Sequence, residues 1–241
     1  ESGYSAVLPD ETDLFQPLIN LFIYLPFSLI PYRISRAIWV TLSLLATGLS
    51  VILAIKLSGW KLSFIERTVI ILMYTFWLPG AFSIITGQLT PIIILIFLFS
   101  ITLIMNGQDT TAGFLLALTF GSLLTSIIIL LFLTIWAVSM KKWTLLKAYF
   151  AGLAFILVLS WLLLPSWFMD WLSIIIPKLQ NLAWVQTPLL TIAALLPGIE
   201  KFLGIFLHVM LGVFLLFQLI TVVKKSKQKF VWNLFIIFII A

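Results

Sequence analysis

Long apolar runs constrain this chain more than any other feature. Pro91 to Met105 and Leu145 to Leu164 are the clearest of them. A membrane β-barrel alternates apolar and polar residues in strands of about ten, and these runs do not alternate. Runs of this kind belong to helices that bury themselves in protein or lipid. Composition decides between the two. The chain of 241 residues is 63% hydrophobic and only 9% charged, with a mean hydropathy of +1.23. An average soluble domain carries about 25% charge. A water-soluble globular protein, a disordered tail and a disulfide-stapled secreted domain are all excluded. The fold class is all-α, a polytopic transmembrane helical bundle.

The net charge is +6 and the pI about 9.7. In a soluble protein this would suggest nucleic acid. Here Lys and Arg sit mostly at the ends of apolar segments, where orientation in the bilayer and anionic headgroups account for them. No nucleic-acid partner is expected; membrane lipid is. The chain has no cysteine, so it offers no thiolate nucleophile and no Cys-based metal site. His208 is the only histidine and cannot build a zinc site alone.

The segments follow in order. Residues 1–13 are polar and carry Asp10, Glu11 and Asp13; they read as a water-exposed loop. An apolar segment from Leu14 to Ile30 is punctuated by Pro17 and Pro26, with Pro31 just after it, so it is kinked or leans on neighbours. Spans are expected at about 34–57, 68–86 with a break at Pro79-Gly80, 91–105, and 145–164. Thr110 to Met140 is interrupted near Gly121 to Ser126 and reads as one broken span in preference to two half-helices. Residues 165–200, rich in Pro and Trp, read as an interfacial loop, and 201–223 as a further span. The chain starts with Glu1 and stops inside the apolar run Phe230 to Ala241. The whole of 1–241 therefore reads as one polytopic domain of a longer membrane protein, with its last span truncated.

The lysine clusters at 141–147 and 224–229 are expected in the cytoplasm, which puts 165–200 on the extracytosolic side. Counting 110–140 as one broken span then places Arg33 and Arg36 inside and residues 1–13 outside.

Intramembrane ionisable residues are the default functional candidates in a membrane protein, and here they are almost absent. His208 is the exception, and a hydrogen bond to a neighbouring helix explains it. No chain of titratable partners accompanies it, which argues against proton-coupled transport. The acids in the loops are better placed for chemistry. Asp10 and Asp13 in the first loop and Asp170 in the Trp-rich loop can act as a general base or hold a divalent cation. The plainer reading is a solvated acidic loop, with Asp13 favoured at a helix start. Gln88, in the turn Gly87-Gln88 between two spans, can hydrogen-bond a sugar or phosphate oxygen; its plainer reading is a helix stop.

The order of motifs carries more than any one of them. Phe15-Gln16-Pro17-Leu18 is followed by Leu25-Pro26-Phe27, Ile30-Pro31-Tyr32 and Arg36-Ala37-Ile38-Trp39. Gly87-Gln88-Leu89-Thr90-Pro91, Ala112-Gly113-Phe114-Leu115-Leu116-Ala117-Leu118, Lys141-Lys142-Trp143 and Pro165-Ser166-Trp167 come later. Over roughly residues 3–175 this succession resembles glycosyltransferase family 87, the polytopic GT-C-type transferases. It departs from the family pattern at Leu18, where a second Pro is usual, and at Thr90, where Asn is usual. The Lys-Pro expected near Ser122-Leu123 is missing.

The resemblance implies a GT-C-like bundle in the plasma membrane of a prokaryote. It implies transfer of a hexose or pentose from a polyprenyl-phosphate sugar to a lipid or glycan acceptor, on the extracytosolic side. It implies no cofactor beyond an undecided divalent cation. Arg33, Arg36 or Lys178 would bind the donor phosphate, with Gln88 and Asp170 as further substrate contacts. The family's catalytic Asp is expected upstream of Glu1, so Asp10 and Asp13 are poor substitutes for it and the piece itself is expected to be inactive. A membrane transporter and a non-catalytic scaffold are the competing readings. The first needs a polar midplane path, which only His208 and scattered Ser and Thr supply.

Overall fold

The computed structural model describes residues 19–76, 78–121, 123–170, 172–173 and scattered positions between 198 and 217. Asp10, Asp13, Lys178, Glu200 and His208 lie outside the described residues, as do the lysine cluster 224–229 and the final apolar run.

All regular structure among the described residues is helical. The helices are α1 (Ile19–Ser28), α2 (Tyr32–Ser58), α3 (Phe64–Phe76), α4 (Leu78–Ile85), α5 (Thr90–Met105), α6 (Asp109–Leu118), α7 (Leu123–Ser139) and α8 (Trp143–Leu163). A short 3₁₀ turn, Thr119–Gly121, joins α6 to α7. By length and composition α2 and α8 can each cross a membrane, while α5 and α6 are shorter apolar helices.

The burial pattern is that of a bundle in lipid. Small hydroxyl residues are inside: Ser43, Thr47, Ser50, Ser100, Thr119 and Ser160 are buried. Large apolar residues such as Phe64, Met73, Phe76, Phe155 and Leu162 are on the outside. In water such an exterior would aggregate. In a bilayer it is the favourable arrangement, and small residues between helices let backbones approach.

Local chemistry sets the helix ends. Pro91 begins α5, where its missing N–H costs nothing. Ser63 and Glu66 form a capping box at the start of α3: the Ser63 amide and hydroxyl both donate to Glu66 Oε2, at 2.7 and 2.8 Å. Gly87 ends α4 with a φ of 75°. Its amide donates to Ile84 O and the next amide, of Gln88, to Ser83 O at 2.9 Å, the paired bonds of a Schellman stop. Gly107 ends α5 in the same way, with the Gln108 amide on Leu103 O at 2.9 Å. At the end of α7 the same pair of bonds forms around Lys141, whose φ is 56°. A lysine in this left-handed conformation costs about 1–2 kcal/mol that a glycine would not.

The helix directions follow from contacts. Trp39, early in α2, packs with Leu89 and Ile93 at the start of α5. Leu53, Ala54 and Leu57, late in α2, pack on the main core around Leu98, Ile101 and Ile104. Therefore α2 and α5 run parallel. The Gly107 turn sends α6 back. Asp109, the first residue of α6, then meets Lys142, the residue before α8, in an ion pair of 2.6 Å. The chain from 109 to 142 has thus gone out and returned.

This corrects the expectation that 110–140 is one broken span. A single span would hold Asp109 and Lys142 apart by the length of both helices, about 40 Å for their 10 and 17 residues. The 3₁₀ turn at Thr119–Gly121 is instead the tip of a helical hairpin. Hydropathy cannot tell a broken span from a hairpin; the ion pair can.

The bundle consequently has two distinct ends. One, the base, carries Lys56, Lys61, Glu66, Arg67, Asp109, Lys141, Lys142 and Lys147. The other, the crown, carries the start of α2, the Gly87 turn, the 3₁₀ turn and the end of α8. Helix α1 touches α2, α8 and the 3₁₀ turn, so it sits at the crown.

The closest pairing is α6 on α8, which run parallel from the base. A Cβ on Gly113 would lie 2.5 Å from Leu145 O and 2.7 Å from Ala148 Cβ. One on Gly152 would lie 2.9 Å from Ala117 Cβ. The Gly113/Ala117 pair thus meets the Ala148/Gly152 pair, each spaced by four residues on one helix face.

The base ion pair is expected to hold this pairing in register. Both side chains are about a fifth exposed, at 23% and 21%. That lies between the ~0–1 kcal/mol of surface pairs and the ~3–5 kcal/mol lost on breaking buried ones, so Asp109→Asn or Lys142→Gln should each cost about 1–3 kcal/mol. Thermal unfolding of the two variants and their double in detergent gives the coupling; additive losses would show that the contact contributes nothing.

Candidate functional site

The candidates Arg33, Arg36, Gln88 and Asp170 come from separate parts of the sequence, and all of them lie at the crown. Arg33 and Arg36 are exposed in the first turns of α2. Their position corrects the expectation that they share a side with Lys141 and Lys142: the α6–α7 hairpin leaves the base and returns to it, which reverses every helix before it. Asp170 is exposed beyond the end of α8. Its amide donates to Ser166 O at 3.0 Å, and its own carbonyl accepts from the Ser173 hydroxyl at 2.7 Å. Those bonds form a local turn anchored by buried Trp167 and leave the carboxylate at the surface.

Gln88 is the best-held of the four. Tyr24 of α1 donates through its hydroxyl to Gly87 O at 3.0 Å. The Tyr24 ring lies tilted at 41° against Trp39 with centroids 4.7 Å apart, and Phe27 meets the same indole edge-on at 5.3 Å. The Gly87 backbone lies over this indole: a Cβ there would be 3.7 Å from Trp39 Cδ1 and Nε1. These contacts fix the turn. The Gln88 side chain is then fixed by Ser83, whose hydroxyl donates to Gln88 Oε1 at 3.0 Å. That leaves the amide NH₂ of Gln88 as a donor.

A comparison within the chain separates the functional from the plain reading here. Gly107-Gln108 is the same dipeptide in the same Schellman stop, yet Gln108 is exposed at the base. Gly-Gln is therefore a helix stop in both places. What distinguishes Gln88 is its half-buried side chain, its bond to Ser83 and a cavity beside it.

The cavity holds about 250 Å³ and lies among α2, α3, α4 and α5. Thr47 and Ser50 line it from α2, and Tyr74 from α3. Ser83 lines it from α4, and Thr90 and Pro91 from α5. Gly80 makes the α4 wall possible: a Cβ there would stand 2.8 Å from Tyr74 O, so only glycine lets α4 turn this tightly on α3. Three buried polar atoms in this part of the bundle have no hydrogen-bond partner: Trp39 Nε1, Ser43 Oγ and Ser50 Oγ.

The sequence reading missed the cavity and its hydroxyls. The signal was present as a polar stripe, Ser43, Thr47 and Ser50, along one face of α2. Among the described residues no cluster of three or more His, Asp or Glu is placed to hold a metal ion.

The pattern of glycosyltransferase family 87 matches residues 15–240, which reaches well past the motif succession that ends near residue 175. No curated protein and no solved structure matches the chain. With the match running along nearly all of its length, this membrane helical bundle belongs to glycosyltransferase family 87.

Proposed function

We propose that the protein moves a hexose or pentose from a polyprenyl-phosphate carrier to a lipid-linked or cell-envelope acceptor at the extracytosolic face of a prokaryotic plasma membrane. Family membership supports sugar transfer in the membrane. The observation that carries the finer reading is the division of charge between the two ends. Lys56, Lys61, Arg67, Lys141, Lys142 and Lys147 mark the base. The positive-inside rule puts such an end in the cytoplasm. The crown, with Arg33, Arg36, Gln88 and Asp170, is then extracytosolic.

Each candidate has a role there in a multi-pass, GT-C-like bundle. The prenyl chain of the donor stays in the bilayer and its phosphate reaches the interface. Arg33 and Arg36 meet that phosphate with charge-assisted hydrogen bonds. Gln88 donates to a sugar or phosphate oxygen. Asp170 faces water, where a carboxylate can take the proton of an acceptor hydroxyl.

The test combines topology and transfer. Residues 1–241 contain no cysteine, so Ser166→Cys and Lys61→Cys each add one thiol to a stretch that has none. An impermeant maleimide applied to intact cells should label the first and spare the second; the reverse pattern would invert the assignment. Membranes containing the full-length protein should move label from a radioactive polyprenyl-phosphate sugar to an extractable acceptor. No transfer with any common hexose or pentose, together with solute uptake by proteoliposomes, would make the protein a carrier.

A further inference from the structure

We propose that α1 is a displaceable plug, seated in a slot at the crown and closing the substrate face. The inference rests on the reading of the crown as that face. The slot follows from unequal helix heights. Trp39 packs level with the start of α5, at Leu89 and Ile93. Tyr32 to Ile38, the part of α2 before Trp39, therefore stand about 10 Å above α5, at ~1.5 Å per residue. On the other side, Gly152 of α8 meets Ala117, one residue short of the end of α6. Above that level α6 and the 3₁₀ turn climb about 8 Å, and α8 about 16 Å. So α8 overtops the hairpin tip by about 8 Å. The floor of the slot is the start of α5 and the hairpin tip; its walls are α2 and α8.

Helix α1 matches the slot. A helix with its side chains is about 10–12 Å across, close to the depth, and α1 touches both walls and the 3₁₀ turn. Ile23, Tyr24 and Phe27 pack on the floor, against Trp39, Leu89 and Ile93, while Leu25 is exposed. The seat is separable. Tyr24 holds Gly87 O by one hydrogen bond, and the Tyr24 and Phe27 rings rest on the Trp39 indole. Pro26 deletes a backbone bond inside α1, and Leu29, Ile30 and Pro31 link it to α2. Trp39 supplies the independent sign of a second state. It is buried and its Nε1 has no hydrogen-bond partner, although a buried indole N–H usually finds one. Lifting α1 takes the two rings off this indole and opens it to water or a ligand oxygen. The candidates border the same slot. Arg33 and Arg36 belong to the raised part of α2, Gln88 precedes Leu89 at the floor, and Asp170 follows the end of α8. Helix α1 sits between them, so a substrate that touches them together displaces it.

Two experiments test the plug and its part in transfer, both in the full-length protein with any cysteine outside residues 1–241 replaced. In the first, Leu89→Cys puts a thiol beneath α1, where Leu89 is 2% exposed, and Ile101→Cys puts one in the main core, where Ile101 is 1% exposed. Modification by a small methanethiosulfonate is timed at each. The Leu89→Cys thiol should react well before the Ile101→Cys thiol. Phe27→Ala removes the edge-on ring from Trp39, and Tyr24→Phe removes the bond to Gly87 O. Each should speed the reaction at Leu89→Cys a further two- to tenfold or so, about the loss of one such contact. Neither should change Ile101→Cys. Equal acceleration at the two positions is a general loosening of the bundle and overturns the plug, as does a Leu89→Cys rate that neither variant moves. In the second, Phe27→Ala is assayed for transfer. A closed plug raises the apparent Kd by the inverse of the open fraction. Unlatching it should therefore lower the KM of the donor or the acceptor about two- to tenfold, where a merely structural loss would raise it. A raised or unchanged KM for both substrates, in a protein that transfers sugar, overturns the part in transfer. Acceleration confined to Leu89→Cys in a protein that transfers nothing leaves the plug standing and removes the sugar-transfer reading instead.

Discussion

Gly113→Val is expected to disrupt the packing of α6 on α8. The first added carbon alone would come within 2.5 Å of Leu145 O and 2.8 Å of the Tyr149 amide nitrogen. Both are backbone atoms, so no side chain can swing away. The helices must separate, and Ala112, Leu116, Leu145 and Ala148, all now buried, lose contact together. Overpacking a well-filled core costs about 1–3 kcal/mol and sometimes more. Alanine should fall in that range and valine above it. A loss of this size lowers the melting temperature by about 2–4 °C per kcal/mol in chains of this length. Gly48→Ala is the matching control. Gly48 lies within α2, and nothing stands within 4 Å of its added Cβ. Alanine is about 1 kcal/mol better than glycine in a helix, so this variant should melt at the same temperature or slightly higher. Equal effects at the two glycines would show that α6 and α8 are not in close contact.

Arg33→Ala and Arg36→Ala carry the largest expected effect on activity. A hydrogen bond to a charged group contributes about 1.5–3 kcal/mol. Removing one guanidinium from a bound phosphate should therefore raise the KM for the polyprenyl-phosphate donor by about ten- to a hundredfold. Lysine at either position keeps the charge but loses the two-pronged contact, so it should recover part of the loss. Lys61→Ala, at the base, should leave the KM unchanged. Donor kinetics in detergent for these variants of the full-length protein check the assignment. An unchanged donor KM in both alanine variants would remove the arginines from the donor site.

Much of the architecture was readable because lipid simplifies the code. The ends of α2, α5 and α8 fall within a few residues of the apolar runs that announce them. Gly87, Gly107 and Pro91 stop and start helices where residues of their kind should. The break expected at Pro79-Gly80 falls a little late: those residues lie within α4, and the bend is where Gly80 is turned close onto Tyr74 O of α3. What hydropathy could not supply was direction. An apolar run of thirty residues has the same mean hydropathy whether it continues or doubles back. In the sequence Asp109 is one more polar residue after Asn106-Gly107-Gln108, and only its contact with Lys142 shows that the chain returns. The small-residue spacings Gly113/Ala117 and Ala148/Gly152 were visible in the sequence and name the faces that meet. At the candidate site the limits were similar. Gln88 was legible as a residue type, but its distinction from Gln108 is a matter of burial and of Ser83, five residues earlier.

The hairpin also imposes an order of assembly. Helix α6 has 10 residues and is about 15 Å long, half of the ~30 Å apolar layer. Alone it is a poor candidate to be retained across a bilayer as it emerges from the ribosome. Its partners are α5, already made, and α8, made only after α7 has returned to the base. The Gly113 face is therefore uncovered until residues 145–152 have been synthesised. During that interval the nascent chain is exposed to misinsertion, and variants that weaken the Asp109–Lys142 pair or the Gly113 contact should lower the yield of inserted protein as well as its stability.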